Sequence, residues 1–76
     1  MQRGKLYYDE NTKRYSFRYK DNAGRLQDYG GFHCGEGLEV LLNDVWVTTR
    51  MEMNMNRSWY LVGLPGLELD GLTVRR

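Results

Sequence analysis

The sequence predicts an all-β fold, a small barrel or orthogonal sandwich of six to seven short antiparallel strands. Ten of the 76 residues are aromatic, and aromatic side chains suit pleated, half-buried strand surfaces. Nine glycines and one proline suit a chain that turns often. Residues 14–20 also alternate strictly between polar and aromatic side chains, the period of two typical of a strand. A barrel or sandwich would shield the edges of so many short strands.

The chain opens with a predicted hairpin. Lys5–Tyr8 forms its first strand, and the polar residues 9–13 form a turn. In the second strand, three aromatic residues face one side and four polar residues face the other: Tyr15, Phe17 and Tyr19 against Arg14, Ser16, Arg18 and Lys20. Residues 21–24 predict the next turn and residues 25–29 a third strand. Four glycines within residues 30–37 predict a loop.

Residues 38–53 fit two structures. Leucines and valines at spacings of three and four match an amphipathic helix. The same residues match two strands, 38–42 and 45–52, joined at Asn43-Asp44. We favour the strands because β-branched residues lose rotamer freedom in a helix, and because Asn and Asp tolerate the positive φ of a two-residue hairpin turn.

The last third of the chain predicts short strands separated by tight turns. Residues 54–58 form a polar turn, 59–62 a strand, and 72–74 a closing strand, with turns at Pro65-Gly66 and Asp70-Gly71 between them. At 76 residues the chain has room for one domain. We divide it into an N-terminal hairpin at about 4–20 and a barrel core at about 25–75.

Several sequence segments in the second half of the chain resemble a known family. They are His33-Cys34-Gly35-Glu36-Gly37-Leu38-Glu39-Val40-Leu41-Leu42, Trp46-Val47-Thr48-Thr49-Arg50-Met51-Glu52, Trp59-Tyr60-Leu61-Val62-Gly63 and Leu69-Asp70-Gly71-Leu72-Thr73-Val74-Arg75. Together they resemble a domain of unknown function found in small uncharacterised bacterial proteins, common in Firmicutes and often associated with mobile elements. The resemblance implies a bacterial origin and brings no catalytic residue. The order of these segments is also similar to that of an SH3-like barrel, and this fold resemblance by itself implies no function.

Catalytic and metal chemistry find little support in the residue types. One His and one Cys fall short of the four ligands of a zinc site, so we read Cys34 as a small buried thiol and His33 as a turn residue. Glu39 and Glu52 alternate with apolar neighbours, and Arg50 is the expected cross-strand partner. We therefore predict no enzyme, no metal and no cofactor. One cysteine and no long apolar segment predict a cytoplasmic protein without a membrane partner.

Charge is segregated along the chain. Residues 1–25 hold seven Lys or Arg and three Asp or Glu, a local balance of +4, whereas the remaining residues have a balance of −3. A basic hairpin carrying Arg14, Arg18 and Lys20 could follow a phosphate backbone. The alternative is a solvated strand face whose cations discourage edge pairing, and the modest pI of about 7.9 favours that alternative.

Large aromatic residues are the other candidate binding residues. Trp46, Trp59 and Tyr60 are core or rim residues, and Trp59 and Tyr60 must point to opposite faces. An exposed tryptophan would mark a groove for an extended peptide. The prediction is a non-catalytic binding module, with nucleic acid binding and a structural homo-oligomer as alternatives. Its partner is a protein or peptide in the first hypothesis and nucleic acid in the second. The predicted binding residues are Arg14, Arg18, Lys20, Trp46, Arg50, Trp59 and Tyr60.

Overall fold

The structure is a computed structural model that describes residues 1–76. It contains seven strands and no helix, and all strand pairs are antiparallel. The sheet order is β3-β2-β1-β7-β4-β5-β6. The strands are β1 (Arg3–Asp9), β2 (Arg14–Lys20), β3 (Leu26–Asp28), β4 (Gly37–Leu42), β5 (Val45–Met53), β6 (Trp59–Leu61) and β7 (Thr73–Arg75). The all-β prediction is confirmed, and the predicted strand bounds lie within two residues of the observed ones.

Two hairpins follow directly from local sequence. β1 pairs with β2 from Leu6 opposite Phe17 to Asp9 opposite Arg14. β4 pairs with β5 through a two-residue turn in which Asn43 and Asp44 have φ of 49° and 65°. Positive φ at both turn positions matches the right-handed twist of the flanking strands. The helix considered for residues 38–53 is therefore not formed.

β1 joins the two halves of the sheet. Its second half pairs with β2, whereas its first half pairs with β7, with Gly4 opposite Val74. Position 4 is crowded because a Cβ atom there would lie 2.0 Å from the backbone oxygen of Arg18. The strand can change partners at this point only because glycine lacks a side chain.

The loop after β3 covers part of β2. Gly30 and Gly31 have φ of 98° and 99°, a conformation that glycine adopts without steric cost. Their N–H groups each donate a hydrogen bond of 3.2 Å to Ser16 Oγ. Ser16 is only 1% exposed, although it lies on the polar side of β2. Sequence alternation assigns Ser16 to the correct side of β2 but does not reveal the loop packed over it.

One hydrophobic cluster draws on both halves of the sheet. Phe17 near one edge and Leu61 at the other belong to the same buried set, so the sheet must curve around a common core. Trp59 Nε1 donates to the backbone oxygen of Lys13 at 2.9 Å, which ties β6 to the tip of the β1–β2 hairpin. The nine buried residues are Leu6, Phe17, Phe32, Leu38, Val40, Met51, Leu61, Leu69 and Val74. The finer SH3-like description stays a prediction.

Replacing Gly4 by alanine is expected to destabilise the fold by about 2 kcal/mol, because the added methyl group overlaps a backbone atom that cannot move aside. Gly37→Ala is the matched control. Gly37 is also a strand glycine, but its Cβ would meet only Thr49 O at an ordinary 3.7 Å. Urea unfolding of both variants measures the difference. Equal stability of the two variants would show that the crossing at Gly4 is not tight.

Candidate functional site

The seven predicted binding residues do not form one site. Arg18, Lys20 and Trp46 share the outer, solvent-facing side of the sheet. Arg14 and Trp59 lie together at the tip of the β1–β2 hairpin. Arg50 and Tyr60 lie towards the β5–β6 edge, where Arg50 binds Glu52 at 3.0 Å and Tyr60 stands opposite Glu52.

The outer side collects cations from the first two strands. Tyr7 lies opposite Ser16, so residues alternating with them project to the same side of the hairpin. These residues include four exposed cations that we call the cationic face: Arg3 and Lys5 on β1, and Arg18 and Lys20 on β2. Arg3 and Lys5 belong to the basic N-terminal segment but are not among the predicted binding residues. In the sequence they alternate with Gly4 and Leu6, and this alternation indicates that both side chains lie on the polar side of β1.

A shallow depression runs between the two pairs of cations. One part, of about 580 Å³, is lined by Arg3, Lys5 and Lys20 together with Thr73. The adjoining part, of about 420 Å³, is lined by Lys5, Tyr7 and Arg18. Gly4 contributes to both parts. The residue that lets β1 change partners therefore also leaves a concave surface between its cations.

Only one of these cations is neutralised by an ion pair. Arg18 Nε lies 3.5 Å from Asp28 Oδ2, whereas Lys5 Nζ donates to the neutral Thr73 Oγ1 at 3.0 Å. Arg3 and Lys20 form no ion pair. Elsewhere on the outer side, Arg75 forms an ion pair with Glu39. The prediction that Arg50 is the cross-strand partner of Glu39 is therefore wrong. The cationic face keeps three positive charges unpaired.

Asp28 organises the end of β2 next to this face. It accepts hydrogen bonds from Ser16 Oγ at 2.6 Å, from Gly30 N at 2.8 Å, and from the Tyr7 hydroxyl. Burial alone would raise the pKa of Asp28, but these bonds and the charge of Arg18 outweigh burial and lower it. The pKa of Tyr7 is raised by burial and by its contact with Asp28. Both groups therefore hold their ordinary charge states at neutral pH.

Two aromatic rings border the cationic face. The Arg18 guanidinium lies 4.7 Å from the centre of the Tyr7 ring. Trp46 is half-buried on β5, with the guanidinium groups of Arg75 and Arg3 at 4.0 Å and 5.4 Å from its ring. Such cation–π contacts hold flexible arginine side chains over defined positions. Trp46 thus lies at the border of this face.

A second concave surface lies at the opposite end of the hairpin, between the β1–β2 turn and the β5–β6 turn. Two adjoining depressions of about 380 Å³ and 390 Å³ share Tyr8, Arg57 and Trp59 in their walls. Lys13 and Arg14 line the first depression. We call these five residues and the space between them the turn groove. Arg14 and Trp59 are among the predicted binding residues, whereas Tyr8, Lys13 and Arg57 are not. The three unpredicted residues lie in separate segments of the sequence.

His33 and Cys34 both lie exposed in the glycine-rich loop that precedes β4. Cys34 is exposed, so the predicted buried thiol is wrong; the glycine-rich loop carries it along the surface. Glu36 accepts hydrogen bonds from His33 N at 2.6 Å and the Tyr29 hydroxyl at 2.9 Å. Burial would raise the pKa of Glu36, but these bonds and the Arg76 charge lower it.

No three His, Cys, Asp or Glu side chains are grouped as metal ligands, and the structure has no helix able to cross a membrane.

Comparison with known proteins identifies the family. Residues 4–76 match DUF5348, a domain of unknown function. The chain belongs to the DUF5348 family. The predicted resemblance to a domain of unknown function is confirmed, and it extends through the first hairpin as well as the second half of the chain. No curated protein matches the chain.

A solved structure supports the architecture described above. The chain is similar to a protein from Ruminococcus gnavus whose crystal structure was determined by the Northeast Structural Genomics Consortium. The two are 47% identical, with a TM-score of 0.82, over 99% of this chain and 100% of the other. Ruminococcus gnavus is a Firmicute, in keeping with the bacterial source implied by the sequence.

Asp28→Asn is expected to reduce the dependence of stability on acid. Because the pKa of Asp28 is lower in the folded state, its charge stabilises the fold above its ordinary pKa of about 3.9. That contribution is lost as the pH falls through the lowered value. Wild type should therefore lose more of its melting temperature between pH 7 and pH 3 than the variant.

Asp44→Asn provides the control for this titration. Asp44 is an exposed aspartate in the β4–β5 turn, and asparagine tolerates the same positive φ. Because the Asp44 side chain accepts none of the hydrogen bonds described for Asp28, the Asp44→Asn variant should lose as much of its melting temperature between pH 7 and pH 3 as wild type does. If Asp28→Asn also follows wild type from pH 7 to pH 3, the hydrogen bonds to Asp28 do not stabilise its charged form.

Proposed function

We propose that this protein is a non-enzymatic module that binds the phosphate backbone of nucleic acid on its cationic face. The observation that carries the proposal is the grouping of Arg3, Lys5, Arg18 and Lys20 on one side of one hairpin, around a shallow depression. Nucleic acid affinity derives largely from lysine and arginine side chains that neutralise phosphates and release counterions. A row of cations on a strand face offers such contacts along a line.

The charge distribution supports an extended anion as the ligand. The chain as a whole carries a formal charge of only +1, yet three cations of this face have no acidic partner. Evenly mixed surface charge would produce a weak field, whereas separated charge produces a local positive potential that steers an anion to one side of the molecule. The low net charge of the chain is therefore compatible with a strongly positive potential on one side of the molecule.

The bordering aromatic rings suit single-stranded nucleic acid. Tyr7 and Trp46 lie within the same outer side as the cations, and rings next to a positively charged groove can stack on unpaired bases. The face is open and shallow, so it makes no enclosing pocket for a small molecule. We therefore favour a single strand over a duplex or a small ligand.

A protein or peptide partner, the first hypothesis from sequence, has less support on this face. Of the four most exposed apolar side chains, Met1 lines the depression and Leu26 lies opposite Lys20. The other two, Val45 at the start of β5 and Met55 in the β5–β6 turn, lie elsewhere in the chain, so the four do not form one cluster. Protein interfaces are anchored by clustered apolar and aromatic residues that become fully desolvated. Binding of an acidic protein is an alternative that the same binding experiment can detect with a glutamate-rich peptide.

Fluorescence anisotropy with labelled single-stranded DNA, single-stranded RNA and duplex DNA tests the proposal. Wild type should bind a single strand in a salt-dependent manner. Replacing both Lys5 and Lys20 by glutamine should weaken binding by about tenfold or more at low salt, and should reduce the slope of log affinity against log salt by about 2. Both lysines are exposed, so folding should be unaffected.

A charge-matched control separates local contacts from net charge. Val45→Glu with Met55→Glu also changes the net charge by two units, at exposed positions in other parts of the chain. It should bind within about threefold of wild type. An equal loss in both double variants, or no binding of any nucleic acid at low salt, would refute the proposal. Tighter binding of a glutamate-rich peptide than of any nucleic acid would assign the face to an acidic protein instead.

A further inference from the structure

At two positions of the turn groove the hairpin turns call for positive φ, yet each position holds a cation instead of glycine. Four residues other than glycine have positive φ: Asn43, Asp44, Lys13 (58°) and Arg57 (61°). The first two are residue types that tolerate this conformation, in a turn that needs it. Lys13 and Arg57 are long side chains for which the left-handed region is unfavourable. Both line the same groove.

Each of the two residues ends a turn where glycine would fit without strain. Lys13 N donates to Asp9 O at 2.7 Å, and Arg57 N donates to Asn54 O at 3.0 Å. Such positions after a turn are commonly taken by glycine because glycine adopts positive φ freely. Retaining a cation at both positions costs stability, and backbone strain of this kind is concentrated at functional sites. The two side chains come from turns more than 40 residues apart in sequence.

The groove combines cations with aromatic surfaces. Tyr8 and Tyr15 contact each other edge to face, with ring centres 5.3 Å apart. Trp59 is held by its hydrogen bond to Lys13 O, and the Arg14 guanidinium lies 5.8 Å from its ring. Arg14 is fixed in turn by a hydrogen bond of 3.0 Å to Phe32 O. The rings are therefore held in place, while Lys13 and Arg57 have no ion pair.

We propose that the turn groove is a second binding site, for a free nucleoside monophosphate. A planar base would lie against the Tyr8 and Trp59 rings, and the phosphate would meet the charges of Lys13 and Arg57. The first depression, of about 380 Å³, is at the lower end of the size range of small-molecule sites. The walls of this first depression contain three cations and no carboxylate, whereas Asp70 lines the adjoining depression, so the phosphate would occupy the first depression. This site is independent of the cationic face and does not rest on the function proposed above.

Isothermal titration with AMP, GMP, CMP and UMP tests this site, with inorganic phosphate as a separate probe. At least one nucleotide should bind saturably with a dissociation constant in the micromolar to millimolar range, and more tightly than phosphate. Lys13→Gly combined with Arg57→Gly should weaken that binding by about tenfold or more. The same variant should melt at an equal or higher temperature than wild type, because glycine relieves the strain at both positions.

Matched variants separate backbone relief from lost charge and one surface from the other. Asn43→Gly places glycine at another positive-φ turn position and should leave nucleotide affinity unchanged. The Lys5→Gln, Lys20→Gln variant of the cationic face should also retain it. Cys34, the single cysteine, lines the first depression, so the bound nucleotide should slow its reaction with a thiol reagent.

Several results would overturn the inference. Absence of saturable binding for all four nucleotides at millimolar concentration, or equal binding of phosphate alone, would remove the nucleotide site. Unchanged affinity in the double glycine variant would place the ligand elsewhere. Loss of affinity together with a lower melting temperature would make Lys13 and Arg57 structural residues. Tighter binding of a glutamate-rich peptide than of any nucleotide would make the groove a peptide site.

Discussion

The close passage of β1 across β2 is the constraint on which the rest of the structure depends. At Gly4 the chain leaves β2 and pairs with β7, and no side chain fits against the Arg18 oxygen. This change of partner connects the N-terminal hairpin to the sheet formed by β7, β4, β5 and β6. Apolar residues from both parts can then share a single core. A chain of this length buries a modest fraction of its surface, so it depends on having one continuous core.

The same crossing determines how charge is displayed. It brings Arg3 and Lys5 beside Arg18 and Lys20 and leaves a concave surface between them. Asp28 is occupied by Ser16, Tyr7, Gly30 and Arg18, so it neutralises only one cation of the face. Segregation of charge along the sequence thus becomes segregation in space, since the basic segment forms neighbouring strands of one hairpin.

The opposite end of the hairpin carries the turn groove. Lys13 and Arg57 keep strained backbone conformations in a small domain with little stability to spare. Their turns meet because Trp59 reaches back to the Lys13 carbonyl across the open end of the curved sheet. Two surfaces with different shapes result. One is open and lined by cations, and the other is smaller and lined in part by aromatic rings.

Local sequence determined the strands and turns of this protein. Alternation in β2 and the Asn43-Asp44 turn act over a few residues, and so does the segregation of basic residues into the first 25 positions. Tertiary structure alone decided the burial of Ser16, the exposure of Cys34, the pairing of Glu39 with Arg75, and the meeting of Arg14 with Trp59. Alternation assigns a side chain to one side of a strand, but burial and pairing also depend on the strand register and on the segment that packs over it. Those are set by contacts between residues distant in sequence, whose energies no local pattern encodes.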